Sequence, residues 1–367
     1  MSGTSVDSID AALVRIEGGK ATLLATHQHD IPEATRQRVA QISHPGENEV
    51  VRMATLDREL GELFAEAALA LISLAAISPA QVTAIGSHGQ TIRHHPPSVS
   101  ASTTEAFTVQ IGDPNTIAEI TGITTIADFR RRDIAAGGEG APLAPAFHAA
   151  AFSMAGRNRA IVNIGGIANV TLLCEETLVA GFDTGPGNTL MDQWMLRHRG
   201  EPLDRDGAWA ASGKPIRSLL DECLRHPYFR LSGPRSTGKE TFNLPWLEEL
   251  LNTTGPFAAA DVQATLAELT AVTIAMGIRY AGEIDFDDIY ICGGGAHNGH
   301  LMQRRAAQLA PAAVESTANC GLEPDWVEAA AFAWLAQRRL AGLPGNAPEV
   351  TGARGPRLLG SVYPGPA

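Results

Sequence analysis

One carboxylate and four glycine turns carry the chemistry available to this sequence. In "GFDTGPGN" (Gly181 to Asn188), Asp183 ends an apolar strand, Gly185, Pro186 and Gly187 force a turn, and Asn188 stands where it can cap the following helix. A carboxylate held at a strand's C-terminal edge beside a glycine turn is placed to act as a general base, and a turn-capping aspartate is the structural alternative. "SGTSVD" near the N-terminus, "NIGGIANVT" (Asn163 to Thr171) and "CGGGAHNGH" (Cys292 to His300) offer backbone N–H groups that glycine leaves open to a phosphate or a flat ligand. The first adds the Thr4 and Ser5 hydroxyls, and Asp7 or Asp10 can hold a water on Mg²⁺, an ion that keeps its waters. Read singly, the first is also a polar β-turn and the second a routine hairpin. The third is not a dinucleotide fingerprint, because Asn298 stands three residues after Gly295.

"GPRSTGKE" (Gly233 to Glu240) has the G-x-x-x-x-G-K of a P-loop, but Glu240 replaces the required hydroxyl and would repel phosphate. It is read as an ordered loop of another purpose. Two polar stretches complete the set. "GSHGQTIRHHPP" gathers His88, Gln90 and Thr91 without the carboxylate or cysteine company of a metal site, so polar recognition and a solvated loop both remain open. "ADFRRRDIAAGGEGAP" offers Asp128, Arg131 and Asp133, and arginines there can neutralise a phosphoryl group or grip a carboxylate.

The elements that must position these residues alternate. "AALVRI" and "ATLLATHQHDI" read as strands around a Gly-Gly turn, and Glu47 to Ser78 as one or two helices. "VTAIGSHGQTI" reads as a strand entering a loop, "FTVQIGDPNTIAEITG" as strand then helix, and "ITTIADFRRRDIAAGGEGAP" as strand then loop. A second series opens at "RAIVNIGGIANVTLL", another glycine hairpin, and closes on strand, glycine turn and helix at "DDIYICGGGAHNGHLMQRRAAQLAP". The pattern is α/β, with two domains each opening on a glycine hairpin, and a cleft between such domains is a usual ligand site.

Composition narrows the partners. A net charge of −12 over 367 residues, with basic residues clustered only at Arg130 to Arg132, argues against nucleic acid or an anionic membrane surface. The four cysteines are far apart and form no C-x-x-C pair, which fits a reducing cytoplasm. The longest apolar run, Leu63 to Ser78, contains Glu66 and is too short to span a bilayer, and the N-terminus lacks a secretory pattern.

Taken together, "MSGTSVDSID", "GSHGQTIRH", "QIGDPNTIAEITGI", "ADFRRRDIAAGGEGAPLAPAFH", "NIGGIANVT", "GFDTGPGN", "DRDGAWAASG", "FNLPWL" and "CGGGAHN" resemble, in order and spacing, the anhydro-N-acetylmuramic acid kinases. The resemblance runs to "LPGNAPEVTGARGPRLLGSVYP". It implies the two-domain α/β fold of sugar kinases, Hsp70 and actin, with ATP and Mg²⁺ in the interdomain cleft. It also implies conversion of 1,6-anhydro-N-acetylmuramic acid, ATP and water to N-acetylmuramic acid 6-phosphate and ADP, a step in cell-wall recycling. By match, Gly3, Thr4, Ser5, Val6, Asp7, Ser8, Ile9 and Asp10 form the ATP phosphate loop. Asn163, Gly165 and Gly166 form the second phosphate hairpin, Gly293, Gly294 and Gly295 face the adenosine, and Asp183 is the catalytic base. His88, Gln90, Thr91, Asp128, Arg131 and Glu328 are the expected sugar contacts.

Domain I is expected over 1–128 and domain II over 129–344, with the tail 345–367 packing back on domain I. A cytoplasmic homodimer acting on a small anhydro amino sugar is implied, with neither nucleic acid nor membrane as partner. Relatives carry a short apolar strand before the M-S-G-T-S block and this chain begins at the Met. The expectation is therefore a hairpin short of one arm and a start about eight residues upstream. Two rival readings are a kinase of the same fold for another sugar or polyol, and a non-catalytic ATP-binding switch.

Overall fold

The computed structural model describes residues 1–367 except 4–5, 101, 103, 232–234, 239–240, 281, 283 and 367. Its strands are β1 (Ser8–Glu17), β2 (Lys20–Asp30), β3 (Ile85–Gly86), β4 (Gln90–His95), β5 (Phe107–Ile111), β6 (Thr125–Ala127), β7 (Asn158–Ile164), β8 (Ile167–Cys174), β9 (Thr177–Pro186), β10 (Asp288–Cys292), β11 (Ala313–Ser316) and β12 (Ser361–Tyr363). The chain divides into two compact units, one of Met1–Ala151 with Trp326–Ala367, the other of Phe152–Asp325.

In the first unit β1 and β2 form the Gly18-Gly19 hairpin, β4 pairs with β5, and a three-stranded sheet runs β12-β6-β3. The helix Glu49–Leu74 buries Leu56, Leu60, Phe64 and Ala67, a stripe at helical spacing, in one cluster with Ile9, Ile31, Ile92 and Ile111. The unit boundaries fall at 151/152 and 325/326, where sequence suggested 128/129 and 344/345. The reason is packing. Phe147 of the helix Ala144–Phe152 meets Trp334 of the helix Val327–Leu340 at 6.0 Å, and the latter helix lies so close to β3 that a Cβ on Gly86 would be 2.3 Å from the Phe332 carbonyl. The tail adds β12 antiparallel to β6. It is also tied by Asp133, fully buried, whose Oδ1 accepts from Asn346 Nδ2 (2.8 Å) and Thr351 Oγ1 (2.9 Å) and whose Oδ2 accepts from Gly140 N (2.9 Å).

The second unit is one five-stranded sheet, β11-β10-β7-β8-β9, parallel at β11-β10-β7 and antiparallel from β7 to β9. Behind it lies the helix Ala259–Arg279, buried along most of its length, as a helix apolar on nearly every face must be.

Three local readings change. The helix Glu33–Ile42 was not foreseen, because it buries only Thr35, Val39 and Ile42 and shows little periodicity. The stretch after Gly89 is not a solvated loop, since Gln90–His95 is β4 and makes a ladder with β5. Asn188 sits at the N-cap of the helix Thr189–Arg199 but does not cap it; its Nδ2 donates to the Ile164 carbonyl at 3.2 Å instead.

Between the β1 edge and β3 lies a groove of about 770 Å³, lined also by Ala67, Leu71, Ala336 and Met1. Met1 makes the first rung on that edge. Its amine donates to the Asp10 carbonyl at 2.8 Å and its carbonyl accepts from Asp10 N at 2.8 Å, an antiparallel pair.

Candidate active site

In the first unit the N-terminal turn is closed by Val6 N donating to the Gly3 carbonyl (3.3 Å), with Val6 at a φ of 59°. Thr4 and Ser5 lie outside the described residues. Asp7 accepts from Ser8 N on Oδ1 (3.1 Å), and its carbonyl accepts from Ile31 N (3.1 Å). Ser8 Oγ donates to Asp10 Oδ1 (3.2 Å), while Ile9 is buried in the core. The turn is anchored from below by Ser2, whose hydroxyl donates to Gln90 Oε1 at 2.6 Å in a fully buried contact.

Gln90 therefore spends its amide on scaffolding: its Nε2 donates to the Thr91 carbonyl (3.1 Å). His88 is also scaffolding. It is buried against Phe332 at 4.6 Å, shares its Nδ1 with the Gly89 carbonyl (2.8 Å), and accepts from Arg130 Nε on Nε2 (3.0 Å). Burial first, then the Arg130 charge, keeps this imidazole well below its usual range and therefore neutral. Thr91 Oγ1 accepts from Gln110 Nε2 (3.1 Å).

β3 and β6 run parallel, so the residues after them, His88 and Asp128 to Arg130, gather at one end of the sheet. That is the usual ligand edge of an α/β sheet. Asp128 adopts a φ of 59° and pairs with the exposed Arg131 at 3.3 Å, yet burial raises its pKa. Glu328, at the start of the helix Val327–Leu340, lies within electrostatic reach of Arg130, Asp10 and the Met1 amine. Burial raises Glu328 and Asp10 and lowers the amine to about 6. Arg130, not Arg131, is thus the arginine turned inward, and its sequence position alone gave no sign of that.

In the second unit the three remaining glycine turns meet at one edge of the sheet. Gly187 N and Asn188 N donate to the carbonyls of Gly166 (2.9 Å) and Gly165 (2.8 Å). A Cβ on Gly293 would stand 2.3 Å from Asn163 Oδ1, and one on Gly295 would strike Ile164. By contrast a Cβ on Gly165 or Gly294 would meet its nearest neighbour at 3.7 or 3.8 Å, an ordinary contact, and these two glycines are half-buried and exposed, respectively. Glycine is needed for close approach at Gly293 and Gly295.

Asp183 lies within β9, three residues before its end, and is buried. Strand register sets a polar row across the sheet: Asn163 pairs with Asn169, and Asn169 with Asp183, so all three project from one face. Asn169 was not singled out in the sequence, although asparagines two residues before and three residues after the Gly165-Gly166 turn are a visible signal. Asp183 Oδ2 accepts from Ser236 Oγ and Thr237 N, both at 2.9 Å. Asn169 Oδ1 and Thr237 Oγ1 are buried and make no hydrogen bond. Such atoms beside a carboxylate are unspent capacity that a bound polar group can satisfy. Gly233, Lys239 and Glu240 lie outside the described residues.

No group of three His, Cys, Asp or Glu suited to holding a metal occurs among the described residues, and no described helix is long and apolar enough to cross a membrane. The oxygen donors fit for Mg²⁺ through water are Asp7 and Asp10 at the first turn.

A family model described as anhydro-N-acetylmuramic acid kinase matches residues 1–365. A protein of that name from Shewanella halifaxensis is 50% identical over 365 residues, covering 99% of this chain and 97% of the other. One from Pseudomonas fluorescens is 49% identical over 364 residues, covering 99% and 98%. The ROK hexokinase of Thermus thermophilus, a solved structure, is 15% identical with a TM-score of 0.32 over 90% of this chain and 99% of that one.

Proposed function

The chain belongs to the anhydro-N-acetylmuramic acid kinase family, and on that premise we propose how its residues carry out the reaction. The enzyme phosphorylates 1,6-anhydro-N-acetylmuramic acid while opening its anhydro bridge, in the recycling of cell-wall sugars. The bridge ties C1 to O6, so O6 has no proton and is not an ordinary acceptor. Water must form a bond to C1 as the C1–O6 bond breaks. O6 then bonds to the γ-phosphorus of ATP and ADP leaves. The proton lost by the water needs a base.

Asp183 is that base. The observation that carries this assignment is the buried row Asn163–Asn169–Asp183, which ends on a carboxylate next to three glycine turns. Phosphoryl transfer needs mainly positioning and charge neutralisation. The first turn, Gly3 to Asp10, would serve as one phosphate loop and the Gly165-Gly166 turn, backed by Asn163, as the second. Gly293 to Gly295 would take the adenosine. Mg²⁺, held through water by Asp7 or Asp10, would offset phosphate charge. On the sugar side, Asp128, Arg131, Glu328 and Thr91 would offer polar atoms, while Gln90 holds the N-terminal turn through Ser2 and His88 braces Arg130. The reading includes a cytoplasmic homodimer.

Asp183→Asn should remove nearly all turnover and leave ATP affinity within a few-fold. The assay is ADP release with the anhydro sugar, with mass spectrometry for ¹⁸O from water at C1. Near-wild-type turnover in that variant would end the assignment. Turnover of ordinary sugars without water uptake would favour a kinase for another sugar.

A further inference from the structure

We propose that Ser236 and Thr237 are positioning residues for Asp183, holding its carboxylate in orientation and setting the pH at which it accepts a proton. The proposal rests on the reading of Asp183 as the base. These residues belong to the stretch that sequence singled out as a failed P-loop, and nothing else in the reaction employs them.

Both donors reach the same carboxylate oxygen. Ser236 Oγ and Thr237 N each lie 2.9 Å from Asp183 Oδ2, which fixes the rotation of the carboxyl group and hence the direction of its other lone pairs. The segment is also pinned to the main chain of the base. Asp183 N donates to the Arg235 carbonyl (3.1 Å), while Arg235 Nε (3.2 Å) and the Tyr228 hydroxyl (2.6 Å) donate to the Asp183 carbonyl. The Arg235 guanidinium lies over the Phe182 ring at 4.6 Å and near the Tyr228 ring at 5.4 Å. The two bonds between Arg235 and the Asp183 main chain, together with this stacking, hold the segment in place without the serine hydroxyl. Ser236 is therefore free to act on the carboxylate alone.

The chemical consequence has a sign. Hydrogen bonds to a carboxylate favour its charged form and lower its pKa. Burial disfavours the charged form of a carboxylate, and the two donors on Oδ2 act against that penalty. Removing one donor should make the carboxylate protonate at higher pH and let it turn.

The experiment compares Ser236→Ala, Ser236→Thr and Asp183→Asn with the parent enzyme, using ATP and the anhydro sugar across pH. In Ser236→Ala the acidic limb of kcat should move up by about one pH unit. At the parent's optimum kcat should fall about tenfold. KM for ATP should hold, and Ser236→Thr, which restores a hydroxyl, should return the limb to its place. An unmoved limb in Ser236→Ala, or a loss that Ser236→Thr fails to rescue, overturns the proposal. Thermal unfolding of each variant separates a folding defect from a positioning one. Should Ser236→Ala unfold, Ser236→Gly gives the same reading of the limb. Activity retained in Asp183→Asn would instead overturn the underlying reading, a distinct result.

Discussion

At the scale of residues, the glycines of the second unit divide into two kinds. Gly187 packs its Cα against backbone: an added Cβ would stand 2.4 Å from the Gly165 carbonyl and 3.1 Å from Ala168 N. Gly165 is half-buried and would hold a Cβ without a clash, its nearest neighbour being at 3.7 Å, an ordinary contact. Gly187→Ala should therefore destabilise the fold by about 1–3 kcal/mol, since backbone cannot rotate away as a side chain can. Gly165→Ala should leave the unfolding temperature nearly unchanged and weaken ATP binding, because its methyl fills the face offered to phosphate. Thermal unfolding paired with ATP titration distinguishes the two. Equal effects on stability would mean that this face is not a ligand surface.

At the scale of elements, the first unit has two strand edges that look across one groove. On β1 the Asp10 N–H and carbonyl are turned to that side by their bonds to Met1, and alternation turns those of Ala12 the same way. At β3, Ile85 N and Ser87 N donate to the carbonyls of Thr124 and Ile126, and Gly86 lines the groove. A strand laid against β1 in the sense in which Met1 already pairs with Asp10 would run antiparallel to it. With an added apolar peptide of about eight residues, a usual strand length, the protein should have a higher unfolding temperature. It should also show slowed hydrogen exchange at Asp10, Ala12 and Gly86. Unchanged exchange at those amides would show that the groove does not accept a strand.

At the scale of the molecule, acid is the condition the fold resists least. Burial holds His94 down to about 4 and His148 to about 3, and keeps His88 well below its ordinary value. The unfolded chain binds protons on these rings near pH 6.5, before the folded one does. Their contribution is complete above that pH and is lost as pH falls from about 6.5 toward the folded values. Each proton changes stability by up to about 1.4 kcal/mol per pH unit. Denaturant unfolding at several pH values should show stability declining steadily below pH 6.5. A flat profile from 7 to 5 would refute the buried, neutral state of these histidines.

Much was legible without coordinates, because glycine, aspartate and apolar spacing act locally. The Gly18-Gly19 and Gly165-Gly166 hairpins, the helix from Glu49 and the strand-turn-helix at Asp288 follow from nearest-neighbour chemistry, and the motif set gave the family and its reaction. What the tertiary structure decided depended on register and on contacts distant in sequence. Which arginine of Arg130 to Arg132 turns inward, and that His88 and Gln90 serve the N-terminal turn, rest on contacts spanning 42 and 88 positions. That Ser236 and Thr237 hold Asp183 rests on bonds across 53 and 54 positions. A sequence specifies turns through the conformations that each residue permits; it specifies a carboxylate's hydrogen-bond donors only through the packing of the whole unit.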